Sequence, residues 1–196
     1  MTDDELVRGC VANNPKTQES LFEQFSRKMM GVCIRYADSQ EEAEDMLQNG
    51  FIRVFEKIET FKGTGSLEGW IRKIIVNESL TYLRKNKAMQ MNIDINDVKY
   101  RIPGNNHVDE RVNEKDLLKM IQRLPIGFRT VFNMYAIEGY THKEIAHLMG
   151  ISEGTSKSQY SRAKVHLQNM LKVEAAVGSG SQETVIGVIV KNEEDR

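Results

Sequence analysis

The chain has 196 residues, 40% hydrophobic and 28% charged, which is enough apolar material for one ordinary core or two small ones and excludes wholesale disorder. Three prolines against 14 glycines favour helices over a turn-rich β fold, and two cysteines, Cys10 and Cys33, exclude a disulfide framework. The net charge of −1 hides an alternation: −5 over residues 38–59, +4 over 61–87, +4 over 113–173 and −3 from 174 onward, a pattern of acidic and basic surfaces.

Asp3, Asp4 and Glu5 stand where a secretory signal would need basic residues, and no apolar run is long enough to span a membrane. The expectation is a cytoplasmic protein without membrane insertion. Thr2 and Glu5 form a capping box for a short first helix, and Asn14-Pro15 reads as a cap and first helical position. Leu21, Phe22, Phe25, Met29, Val32, Cys33 and Tyr36 then recur at helical spacing, with Cys33 as a small core residue. Ser39 and Glu42 form a second capping box. The helix they open should bury Ala43, Met46, Leu47, Phe51, Val54, Phe55 and Ile58, and point Asp45, Gln48, Asn49, Ile52, Arg53 and Glu56 outward. Ile52 is then an apolar residue ringed by Gln48, Asn49 and Arg53, the composition of a small protein-binding patch.

Residues 61–66, Phe-Lys-Gly-Thr-Gly-Ser, read as a loop, and Ser66 caps a helix from about Leu67 to Lys87. Its apolar side holds Trp70, Ile71, Ile74, Ile75, Leu80 and Leu83, with Trp70 assigned to the core rather than to base stacking. Arg72, Lys73, Asn77, Tyr82, Arg84, Lys85 and Lys87 make it a basic helix able to follow a nucleic-acid backbone. Periodicity then lapses, and residues 88–112 are read as a linker between a domain over 1–87 and another over 113–173. In the second domain a helix stops at Leu124-Pro125, another covers about 126–138 up to Gly139, and Thr141 with Glu144 caps a helix over 142–149. Gly150 marks the turn, and Ser152 caps a last helix reaching about Lys172. Residues 174–196 read as a flexible tail, in which Val185 to Val190 form a short apolar run of no assigned role.

Thr141 to Lys172 has the anatomy of a helix-turn-helix. Ala146 is small where the helices cross, Gly150 suits a positive φ, and Ile145, Leu148, Met149 and Ile151 can join the two helices. The second helix has an inward stripe of Tyr160, Ala163, Leu167, Met170 and Leu171. Lys157, Ser158, Ser161, Arg162 and Lys164 lie on its other side. Hydroxyls and Arg reach base edges in a major groove, while Lys mainly meets phosphate. Two packed helices with a solvated basic face are the plain alternative.

Taken in order, these segments resemble the extracytoplasmic-function group of the sigma-70 family. Glu42 to Phe55 resembles its polymerase-binding helix. Phe61-Lys-Gly-Thr-Gly-Ser-Leu-Glu-Gly-Trp-Ile-Arg-Lys-Ile, with Asn77 and Tyr82-Leu83-Arg84, resembles its melting and −10-reading segment. Leu124-Pro125, Glu138 to Thr141, Glu144-Ile145-Ala146, Gly150 to Thr155, Lys157-Ser158 and Ser161-Arg162-Ala163 resemble its −35-reading domain. The match covers about residues 3–173. It implies an all-α fold of two small helical domains, with no catalytic centre, metal or cofactor of its own. Core RNA polymerase would dock at Asp45, Gln48, Asn49, Ile52 and Arg53. Gly63, Thr64, Gly65 and Ser66 would hold a flipped base, while Arg72, Lys73, Asn77, Arg84 and Lys85 hold −10 DNA. Lys157, Ser158, Ser161, Arg162 and Lys164 would meet the −35 groove. Many members of the group also have an anti-sigma factor as partner. This sequence has Asn49 and Gly50 where the family often has an acid and a larger residue, Ser156 for an inward Val and Gln159 for an Arg. Gly50 should weaken its helix by about 0.5–1 kcal/mol relative to Ala and alter the docking surface locally.

Rival readings are a free-standing dimeric regulator using the same helix-turn-helix and an adaptor acting through the acidic helix alone. An enzyme is disfavoured. There is no phosphate-binding glycine loop, no His-Glu-x-x-His and no triad, and His142 and His147 diverge on a helix.

Overall fold

A computed structural model gives the secondary structure of residues 1–91 and 114–177, and side-chain surroundings for 1–86 and 116–171. The chain divides into two compact units, Met1–Lys87 and Ala88–Arg196, and every described element is helical. The part of the expected linker over 92–112, residue 113, and the expected tail from 178 onward, with its apolar run Val185 to Val190, lie outside the described residues.

Unit 1 contains α1 (Asp3–Val11), α2 (Pro15–Tyr36), α3 (Gln40–Lys57) with a 3₁₀ turn at Ile58–Thr60, and α4 (Leu67–Met91), which runs past the expected end at Lys87. Local chemistry sets the starts. The Thr2 hydroxyl accepts from the Glu5 N–H while the Glu5 carboxylate takes the Thr2 N–H, and Asn14 Oδ1 accepts from Lys16 and Thr17. Ser39 accepts from the Glu42 N–H at 3.2 Å, but the return half of the expected box is absent, because the Glu42 carboxylate reaches past Ser39 to the Asp38 N–H at 2.9 Å.

The core of unit 1 joins Leu6, Leu21, Phe25, Met29, Val32 and Tyr36 to Ala43, Met46, Phe51 and Val54, and to Leu67, Ile71, Ile75, Val76, Leu80 and Leu83. Cys33 lies wholly within it, and burial pushes its thiol up to about 12, so it behaves as an apolar filler. Four residues assigned to buried stripes sit at their edges: Phe55, Trp70 and Ile74 are half-buried, and Phe22 is 41% exposed, its ring edge-on to Phe51 at 4.8 Å. Gly50 corrects the sequence reading. It is buried, and a Cβ there would collide with Ile75 Cδ1 on α4. It therefore serves helix packing and does not reshape the outward face.

Unit 2 contains α5 (Glu114–Gln122), α6 (Ile126–Phe132), α7 (His142–Met149) and α8 (Glu153–Val177), which extends beyond the expected Lys172. The single helix expected over 126–138 breaks instead into a π turn at Asn133–Ile137, where the Glu138 N–H donates to the Asn133 carbonyl. Gly139, at φ +76°, ends it. Met120, Leu124, Phe128, Val131, Phe132, Met134, Ile145, Met149, Tyr160, Ala163, Leu167 and Leu171 form the core. Ala146, Leu148, Ile151 and Met170, expected inside, are half-buried. Arg129 is also buried, and its Nη1 donates to the carbonyl of Gln122 at 3.0 Å. A fixed cation thus satisfies a carbonyl at the end of α5.

Gly50 gives a direct test of packing. Gly50→Ala should destabilise the chain by about 1 kcal/mol, overpacking outweighing the helix gain. Adding Ile75→Val, which removes the colliding methyl, should recover most of that loss although the same change costs about 0.5–1.5 kcal/mol in the wild-type background. Urea denaturation of the four proteins checks the sign of the coupling.

Candidate polymerase and promoter interfaces

The outward face of α3 follows from its inward one. With Ala43, Met46, Leu47, Gly50, Phe51 and Val54 buried, Asp45, Gln48, Asn49, Ile52 and Arg53 are all exposed. Ile52 is 51% exposed, a β-branched apolar side chain amid polar neighbours. Arg53 is more constrained than a free docking cation. Its Nη1 meets Glu56 at 2.7 Å and its Nε lies 3.7 Å from Glu78 of α4, and both carboxylates raise its pKa. Half-buried Phe55, three residues beyond Ile52 on the same helix, is an apolar neighbour that the outward residue set leaves out, and exposed Phe22 of α2 meets Phe51.

The loop before α4 has the predicted openness. Lys62 to Ser66 are exposed, and Gly63 and Gly65 hold φ values of +70° and +92°. No atom stands within 4 Å of a Cβ built on either glycine, so their need is conformational rather than steric. The start of α4 is tied down from three sides. Ser66 Oγ accepts from the Gly69 N–H, Asp3 of α1 accepts from the Leu67 N–H at 3.4 Å, and Glu68 pairs with Lys28 of α2.

Spacing of four, three, four, four and three residues puts Ser66, Trp70, Lys73, Asn77, Thr81 and Arg84 on one stripe of α4. Lys73, Asn77, Thr81, Arg84 and Lys85 are exposed and Arg72 is half-buried. The Arg84 guanidinium leans on its own helix, with Nη2 3.3 Å from Thr81 Oγ1. Trp70 does not enter the core as expected. It is half-buried, with its ring 5.5 Å from that of Phe61. The same spacing that made it look inward also places it at the border of the cationic stripe, and Thr81 could have been found from it.

In unit 2 the Thr141–Glu144 capping box is complete, and Gly150 closes α7 at φ +69° in the left-handed region. Ser152 Oγ accepts from the Thr155 N–H at 2.9 Å and starts α8. On α8, Lys157 and Ser161 are exposed, while Ser158, Arg162 and Lys164 are half-buried. Lys157 pairs with Glu153 at 2.7 Å, Ser158 donates to the Thr155 carbonyl and keeps acceptor capacity, and Lys164 Nζ lies 5.1 Å from the centre of the Tyr160 ring. An exposed i,i+4 pair contributes little and is screened by salt, so a phosphate can replace Glu153 as the partner of Lys157.

Ser156 and Gln159, the two departures on α8, both point inward. Ser156 Oγ meets His142 Nδ1 at 2.9 Å, and the Gln159 Oε1 has no hydrogen-bond partner among the described residues. The His142 ring stacks on Tyr135 at 4.2 Å and 12°. Sequence reasoning weighed His142 only as a metal ligand, and no group of three or more metal-ligating side chains occurs among the described residues.

Comparison with known proteins agrees with this arrangement. The family model described as "Sigma-70 region 2" matches residues 21–89, and "Sigma-70, region 4" matches 114–167, together well over half of the chain. The chain is 26% identical over 183 residues to the ECF RNA polymerase sigma-E factor of Haemophilus influenzae, covering 88% of this chain and 96% of that one. It is 28% identical over 158 residues to the ECF RNA polymerase sigma factor SigE of Mycolicibacterium smegmatis, covering 78% of this chain and 61% of that one. Among solved structures, the sigma factor RpoE in complex with the anti-sigma factor NepR from Bartonella quintana matches at a TM-score of 0.49 and 23% identity, over 79% of this chain and 96% of that one. With both family regions present in order, on the two helical units that carry the exposed α3 face and the basic helix-turn-helix, the chain belongs to the extracytoplasmic-function group of the sigma-70 family.

Proposed function

We propose that this sigma factor docks on core RNA polymerase through the outward face of α3 and holds promoter DNA with two separate surfaces. The observation that carries the reading is the division of labour between faces. Ile52 and its polar surround lie outward on α3, and the cations lie outward on α4 and α8. Asp45, Gln48, Asn49 and Ile52 supply the docking contacts. Arg53 supplies one of its edges while bridging α3 to α4 through Glu56 and Glu78. Lys157, Ser158, Ser161, Arg162 and Lys164 approach the −35 major groove, positioning through phosphates and reading base edges. Arg72, Lys73, Asn77, Arg84 and Lys85 follow the −10 strand.

Melting needs no chemical step from this chain. An unstacked base costs a few kcal/mol to extrude. Capture against the loop of Gly63, Thr64, Gly65 and Ser66 offsets that cost once the strand is open, because this loop is exposed and its glycines keep the backbone free of side chains. Bond formation stays with the polymerase. The domain limits 1–87 and 113–173 describe the two DNA-binding parts, and 88–112 the connection between them. No described helix is long and apolar enough to cross a membrane, and the proposed site of action is the cytoplasm, beside polymerase and DNA. An anti-sigma factor is the regulatory partner that the family resemblance implies, and one that covered the Ile52 face would exclude polymerase.

Multi-round transcription with purified core polymerase and a pool of genomic promoter fragments tests the reading, and discrete transcripts that require the protein are expected. DNA binding by the free, folded protein without transcripts would favour a free-standing regulator instead. Ile52→Asp should weaken core binding by roughly 10- to 100-fold, the range of a central interface residue, without lowering thermal stability. Lys157→Glu with Arg162→Glu should leave core binding intact, abolish −35-dependent transcription and flatten the salt dependence of promoter binding by about one to two phosphate contacts. Retained promoter specificity in that double variant would favour the adaptor reading.

A further inference from the structure

Unit 2 holds a polar and aromatic cluster that the docking and promoter surfaces leave unused. His142 opens α7, and its imidazole stacks on Tyr135 of the π turn at 4.2 Å. The same ring lies 5.9 Å from that of Tyr160, which is 4.6 Å from Tyr135. Its Nδ1 is 2.9 Å from the Oγ of fully buried Ser156. One side chain thus touches the π turn and two successive turns of α8. Ser156 and Tyr160 are four residues apart on the inward side of α8, with Lys157 and Ser161 directed outward beside them.

A buried hydroxyl is costly to leave without a partner, so α8 is held where Ser156 meets His142. A shift of α8 by one residue would turn its faces by about 100° and carry the outward side chains away from the groove. We propose that His142 is a positioning residue for −35 recognition. Its hydrogen bond to Ser156, with its ring seated between Tyr135 and Tyr160, sets the rotation of α8 that presents Lys157, Ser158 and Ser161 to DNA. This rests on the assignment of α8 as the −35-reading helix.

The groups facing the imidazole are Lys157, Glu153 and Tyr160 from α8 and Tyr135 from the π turn. Burial first, then Lys157, hold its pKa below the ordinary histidine value, with Glu153 opposing. The neutral ring can carry its proton on Nε2 and accept from the Ser156 hydroxyl at Nδ1. Protonation places a cation in a half-buried site beside Lys157 and turns Nδ1 into a donor, so the Ser156 hydroxyl must redirect its own proton. The folded pKa lies below the unfolded one, so the unfolded chain takes up the proton first as pH falls. Stability is therefore full above about pH 6.5 and is lost as pH drops from there through the folded pKa. His166, whose pKa burial also lowers, acts in the same direction.

The test uses holoenzyme reconstituted with the full chain. Binding to a promoter with an intact −35 element is divided by binding to the same promoter with that element scrambled, between about pH 8 and about pH 5.5 to span the histidine range. The wild-type preference should fall on acidification. His142→Phe keeps a ring against Tyr135 and Tyr160 but strands the Ser156 hydroxyl, and should cut the preference roughly tenfold at neutral pH. Adding Ser156→Ala removes the stranded hydroxyl and should restore most of the preference, with its acid sensitivity now reduced. Simply additive effects of the two substitutions, or equal losses on intact and scrambled promoters, would overturn the proposal. Arg162→Glu, at a residue assigned to base edges, is the control. If it leaves the preference untouched, α8 does not read the −35 element and the underlying assignment fails, whereas loss with Arg162→Glu but not with His142→Phe sinks the His142 role alone.

Discussion

Six residues of α3, Ala43, Met46, Leu47, Gly50, Phe51 and Val54, turn inward together, and that stripe forces Asp45, Gln48, Asn49 and Ile52 to the opposite side. A helix has one face to bury and one to spare, so each surface of this sigma factor is the reverse of a packing surface. Gly50 is where the constraint is tightest. Its missing side chain admits Ile75, and Ile75 belongs to the same helix that carries Lys73, Asn77 and Arg84 on its other side. The proposed docking face and the proposed −10 face are therefore mechanically joined through one close helix contact, and Arg53, reaching Glu78, spans the same pair of helices at the surface.

Several of the cations that suit DNA are already engaged within the protein. Lys157 holds Glu153, Arg84 leans on Thr81, and Lys164 sits near the Tyr160 ring. Exposed pairs of this kind contribute little and are screened by salt. They restrain long side chains close to where phosphate would meet them without competing strongly for the charge. Glu153, whose pKa Lys157 lowers, stays ionised throughout the neutral range as the partner of Lys157.

Unit 2 is stabilised by apolar packing but given a single arrangement by its buried polar groups. Arg129 donates to the Gln122 carbonyl, and Ser156 meets His142. Each is satisfied at one relative placement of two segments, whereas Leu or Ile side chains tolerate small slides. The π turn belongs to the same scheme, since Tyr135 within it supplies the ring on which His142 stacks.

The sequence by itself determined the helical class, most helix starts, the outward set on α3 and part of those on α4 and α8, where Arg72, Ser158, Arg162 and Lys164 are half-buried. Those follow from local rules: capping hydroxyls and carboxylates, glycine at a positive φ, and a 3.6-residue period that separates buried from exposed. Its errors share one cause. Trp70 and Phe22 were judged from the period of their own helix, and Gly50 from helix propensity and the family pattern, each without its tertiary neighbours. The first is half-buried against Phe61, the second lies open beside Phe51, and the third is pressed against Ile75, outcomes decided by side chains on other segments. The break at Asn133–Ile137 and the return of Glu42 to Asp38 were likewise settled by which backbone groups found partners. Only the tertiary structure brought Tyr135, His142, Ser156 and Tyr160 together, because they come from three segments whose local patterns carry no trace of one another.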